Sequence, residues 1–153
     1  MPMLSLDFMY IVKKRKAYLE VYDLVEDSRE EKYSEALGKL KQVFDGFSDL
    51  EDFDPTPAWY DVLFTVRAYK ACESDKEERF AELIRQCAAA YAEGAAEMEL
   101  LPEEEKKTKY DITNQYVDDL IEKGGLPTRT FKKALGEDGI REFFHGDFFG
   151  TER

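Results

Sequence analysis

The stretch Ala58-Trp59-Tyr60-Asp61-Val62-Leu63-Phe64-Thr65-Val66-Arg67-Ala68-Tyr69-Lys70-Ala71-Cys72 decides how the chain is read. Apolar side chains occur nearly all round it, and a helix that is apolar on every face is one surrounded by others. Thr56 and Pro57 precede it as a cap and a first-turn proline, where the missing amide costs nothing. The expectation is a central helix over residues 58–72, the most buried element of the molecule.

Upstream, Phe8, Ile11, Val12, Leu19, Tyr22 and Val25 recur at threes and fours and outline a first helix from Ser5 or Asp7 to residue 26. Arg15 falls inside that stripe, so it is expected against a carboxylate or with its stem along the core edge. Ser28 and Glu31 have capping-box spacing and open a second helix, with Tyr33, Ala36, Leu37, Leu40, Val43, Phe44 and Phe47 on its apolar face. Residues 48–57 carry four acids and two prolines and read as a loop.

Downstream, Ser74 and Glu77 have the same capping spacing ahead of a fourth helix bearing Phe80, Leu83, Ile84, Cys87 and Tyr91. Pro102 followed by Glu103, Glu104 and Glu105 starts a fifth, with carboxylates where the dipole favours them, and Gly124-Gly125 ends it. Two short helices are expected at 128–135 and 137–145. No alternating β-branched run bounded by an Asn-Gly or Asp-Gly turn stands out, and no internal repeat. The fold expected is all-α: one domain over 1–153, an irregular antiparallel bundle of about five main helices plus two short C-terminal ones.

Composition sets the functional limits. The chain has 153 residues, 43% hydrophobic and 14% aromatic, enough for a core without staples. A net charge of −12 argues against direct binding of nucleic acid or an anionic membrane and favours a protein partner with a basic surface. Cys72 and Cys87 sit among apolar residues and read as buried free thiols of a reducing, cytoplasmic compartment. No apolar run approaches the ~20 residues of a membrane span, and the basic run at 13–16 follows the apolar N-terminal stretch, the reverse of a signal peptide. That basic run is a solvated face with a possible partner in the acidic loop.

Four features bear on chemistry. The carboxylates of Asp49, Glu51, Asp52 and Asp54 are expected to face solvent, repel one another and attract a partner. Trp59, Asp61 and Thr65 mark a possible pocket beside the 57–72 helix, Asp61 and Thr65 sharing a face four apart. Glu142 and His145 have the Glu-x-x-His spacing of carboxylate-bridged dimetal bundles, but His145 is the sole histidine and supplies half a site at most. The tail residues Phe143, Phe144, Phe148 and Phe149 either fold back or dock on another protomer. Neither a nucleophile elbow nor a phosphate loop is present, and no metal or cofactor is expected. The functional expectation is a non-catalytic acidic helical domain that binds or regulates another protein. An acidic mimic of nucleic acid, and a small-molecule binder or enzyme using the 57–72 pocket, are the alternatives.

Overall fold

The computed structural model describes residues 3–22, 24, 31–124 and 126–151. The chain divides into two compact units, Met1–Glu99 and Leu100–Arg153.

The first unit overturns the all-α expectation. Strands β1 (Met3–Ile11) and β2 (Lys14–Tyr22) form a hairpin. They are followed by helix α1 (Glu31–Asp45), the two-residue strand β3 (Glu51–Asp52), strand β4 (Phe64–Glu73) and helix α2 (Glu77–Ala96). The sheet is antiparallel in the order β1-β2-β4-β3. The unit is therefore mixed α/β, not a helical bundle.

Residues opposite one another across the strands share a face, which explains the correction. Leu4, Leu6 and Phe8 stand opposite Val21, Leu19 and Ala17, and β4 adds Val66 and Ala68 beside Val21 and Leu19. These residues alternate along their strands, and together they pack against Leu40, Phe44, Phe47, Phe80, Leu83 and Cys87 from the helical side. Burying one residue in two serves a strand. The helical stripe drawn through Phe8, Ile11 and Val12 fails, because Ile11 is 45% and Val12 91% exposed at the hairpin tip. Val25 and Glu26, where that helix was to end, lie outside the described residues.

The expected central helix is likewise a strand. Residues Trp59–Leu63 make one 3₁₀ turn, and Phe64–Glu73 is β4. Its apolar residues fall on both faces of the sheet, which is why the run looked apolar all round. Val62, expected inside, is 87% exposed.

Val12 has φ of 47°, the left-handed region that a β-branched residue rarely adopts. A Cβ there costs about 1–2 kcal/mol, while glycine loses roughly 0.5–1 kcal/mol more entropy on folding. Val12→Gly should therefore stabilise the fold by roughly 0.5–1 kcal/mol, read from the urea midpoint. A midpoint that falls would mean that the tip takes another turn in solution.

The helices follow the sequence more closely. α1 begins at Glu31, and the capping partner Ser28 lies outside the described residues. The Ser74–Glu77 box does not form: Ser74–Lys76 is a 3₁₀ turn, and Lys76 precedes α2 with no side-chain cap. Glu77 is drawn off by Arg15, 3.0 Å away.

In the second unit α3 (Glu103–Lys123) follows Pro102, and α4 (Leu126–Glu142) is broken at Gly136, whose φ is 76°. That break separates the two short helices expected. A π-helical turn, Phe143–Phe148, closes the unit. Tyr116, Val117, Ile121, Ile140 and Phe144 are its buried apolar residues.

Candidate functional site: the sheet face opposite the helices

Turned away from α1 and α2, the sheet presents Asp7, Tyr18 and Tyr69 in one cross-strand row and Ser5, Glu20 and Arg67 in the next. Glu20 is only 7% exposed. Tyr22 donates a hydrogen bond to one of its oxygens at 2.6 Å, and Tyr69 donates to the other at 3.3 Å. Alternation along β2 places Tyr18, Glu20 and Tyr22 on this face together.

Aromatic rings surround the carboxylate. Tyr18 meets Tyr69 at 5.7 Å and Phe53 at 5.2 Å between centroids. Tyr22 meets Phe64 at 4.9 Å and Tyr60 at 6.1 Å, and Trp59 stands 5.4 Å from Tyr60. Lys16 already holds its ammonium 4.6 Å over the Phe53 ring.

The electrostatics are one-sided. Burial pushes the Glu20 pKa up; its two tyrosine hydrogen bonds oppose that, and Asp7 and Asp61 add to it. Tyr18, Tyr60 and Tyr69 are also raised, first by burial and then by the negative charge of Glu20. Arg67 faces Glu20 in the register, yet no cation among the described residues forms an ion pair with it.

Trp59, Asp61 and Thr65, expected along a helix, border this face from the 3₁₀ turn and the start of β4. They do not share a helical face. Asp61 accepts the Ala58 amide at 3.2 Å, and Thr65 donates to the Val21 carbonyl at 3.2 Å. The feature missed was Glu20 itself. Its signal was Tyr18-x-Glu20-x-Tyr22, a carboxylate between two tyrosines at strand spacing.

The acidic loop is only half free. Asp49 is held by the Arg79 guanidinium at 3.0–3.2 Å, and that pairing lowers its pKa. Arg79 in turn lies 3.8 Å over Phe47. Asp52 takes the nearly buried Lys70 ammonium at 2.7 Å. Glu51 and Asp54 are exposed. Asp49, Glu51, Glu73, Asp75 and Lys76 line an open groove of about 400 Å³ whose wall includes Cys72. Cys72 and Cys87 are both free and buried. Burial raises both thiols, Cys87 to about 12, against the thiolate form. Of the basic run, Lys14 pairs with Glu73 at 3.7 Å and Arg15 with Glu77, while Lys16 reaches the acidic loop at the Phe53 ring.

In the second unit Glu142 and His145 are not brought together. Glu142 is exposed, while His145 is buried between Thr151 Oγ1, 2.7 Å from Nδ1, and Asp118 Oδ1, 3.2 Å from Nε2. Burial disfavours the Asp118 charge, but hydrogen bonds from Arg141 and His145 outweigh it and lower the pKa. The hydroxyl of Thr151 is interior, so this chain of contacts ties down the tail. Phe144 is buried among Phe131, Phe143, Phe148 and Phe149, whereas Phe148 remains 61% exposed. Among the described residues no three His, Cys, Asp or Glu side chains converge as metal ligands, and no helix is long and apolar enough to cross a membrane.

Compared with known proteins, the chain matches no family model and no curated sequence.

Proposed function

We propose that this is a non-catalytic binding domain that docks an extended segment of a net-basic partner protein along β1 and the hairpin tip. The observation that carries the reading is the tip. Met9, Tyr10, Ile11 and Val12 are 42%, 57%, 45% and 91% exposed in succession. The first three end a nine-residue strand at the sheet's edge, and Val12 begins the turn after it.

Sheet proteins ordinarily blunt such an edge with charge, proline or a bulge. β1 carries Asp7 as its one charge, and Tyr91 from α2 meets its backbone at Leu4, away from the tip. Strand addition uses main-chain hydrogen bonds for affinity and alternate side chains for specificity. The net charge of −12 would speed encounter with a basic partner. Two of the acids that a nucleic-acid mimic would use, Asp49 and Asp52, are paired with Arg79 and Lys70, while Glu51 and Asp54 stay exposed.

The test starts with a photo-crosslinking residue at Ile11 in the native cell and a control at exposed Val62. The protein caught at Ile11 alone is then purified and its binding measured. Met9→Lys with Ile11→Lys should weaken binding by roughly tenfold or more while leaving the circular dichroism unchanged. Wild-type affinity in the doubly charged variant would sink the reading.

A further inference from the structure

Glu20 raises a question that the docking of a strand at β1 does not answer. A carboxylate 7% exposed needs a counter-charge or a proton. Tyr22 and Tyr69 each satisfy one lone pair on its two oxygens, and an ionised carboxylate has about four. Asp7 and Asp61 deepen the negative field rather than relieve it. Arg67, opposite in the register, is not among the ion pairs of the described residues.

Around this carboxylate stand the rings of Tyr18, Tyr22, Tyr60 and Tyr69, with the hydroxyls of Tyr22 and Tyr69 turned to it. Aromatic faces attract weakly hydrated cations, and more strongly as water is excluded. The face already does this once, with the Lys16 ammonium over Phe53. A metal ion would want several converging oxygen ligands, and no such set forms among the described residues. A soft organic cation needs one carboxylate and several rings.

We infer that the sheet face around Glu20 is a binding site for an organic ammonium group. Glu20 supplies the counter-charge, and Tyr18, Tyr60 and Tyr69 supply the aromatic walls. The group is either a free small amine or the methylated side chain of a lysine; both offer the same chemistry.

The experiment uses the full chain with ¹³C-labelled tyrosine, titrated with tetramethylammonium chloride against sodium chloride at equal ionic strength. The inference expects saturable shifts of the Tyr18, Tyr60 and Tyr69 resonances with tetramethylammonium alone. Glu20→Gln keeps the shape and an oxygen acceptor, and should weaken that binding by roughly tenfold or more, equivalent to ~1.4 kcal/mol. Tyr60→Leu lies outside the strands and should weaken it too, which keeps the test open if Glu20→Gln disturbs the fold. A second arm compares a short peptide bearing trimethyllysine with its alanine counterpart. Tighter binding of the trimethyllysine peptide than of tetramethylammonium identifies a protein side chain as the source, and equal binding identifies a small amine. Shifts that are linear, matched by sodium chloride, or unchanged in both variants would overturn the site.

Discussion

Phe80→Ala should destabilise the first unit by about 3–5 kcal/mol, the range for removing a large aromatic ring from a packed core. Phe80 is fully buried on α2, and it meets Phe8 at 5.8 Å and Tyr10 at 6.2 Å, edge to face in both cases. It therefore joins the helical layer to the hairpin at β1, an edge strand with a single neighbour. One helical turn on, Leu83 packs in the same core, and Cys87 follows it. Domains are stable by only ~5–15 kcal/mol, so the loss would be a large share of the whole. Trp59 lies in this unit and is the chain's single tryptophan, so its fluorescence through a urea titration gives the number. A loss under ~1 kcal/mol would mean that α2 does not pack on the hairpin.

How much of this was legible differs by element, for physical reasons. α1, α2 and α3 carry a polar side and an apolar side at helical spacing, and Pro102 and Gly124 bound α3. The hairpin was misread because its turn carries no turn residue. A two-residue connection with a positive φ normally announces itself as Gly or Asn. Here Val12 occupies that position, and Lys13, Lys14, Arg15 and Lys16 after it resemble a solvated helical face. β4 was misread for a different reason. Both its faces meet side chains, Val66 and Ala68 toward the helices and Tyr69 toward Tyr18 and Phe53. A run apolar on both faces has no period to separate strand from buried helix. Its aromatic and β-branched residues were the discriminating signal.

The candidate site was half visible. Asp61 was singled out as a charge among apolar residues, and it does act on Glu20 through space. Glu20 itself, assigned to a helix, had no reason to be inside. Only the strand register brings it between Tyr22 and Tyr69, from residues 2 and 49 positions away. The long-range partner Tyr69 leaves no local trace in one sequence; the Tyr18-x-Glu20-x-Tyr22 spacing is the local one.

Gly124→Ala is the second large effect expected, and it falls in the other unit. Gly124 follows α3 with φ of −57° and ψ of 164°, a conformation open to any residue, so backbone freedom is not its reason for being glycine. Space is. A Cβ at this position would overlap the Leu120 carbonyl oxygen and the Thr128 side chain. The carbonyl belongs to the last turn of α3 and already accepts the Gly124 amide at 3.0 Å, so it cannot swing away without breaking that bond. Thr128 is 4% exposed at the start of α4, so its side chain is enclosed. One methyl group therefore forces α3 and α4 apart at their joint. Overpacking a close contact costs about 1–3 kcal/mol, and backbone on one side puts this case at the top of that range. The readout is amide hydrogen exchange along residues 116–121, where Tyr116, Val117 and Ile121 are buried. Their protection should fall by roughly a hundredfold, the equivalent of ~2.7 kcal/mol. Gly124→Ala with wild-type exchange in that segment would show that the α3–α4 joint is looser than its contacts imply.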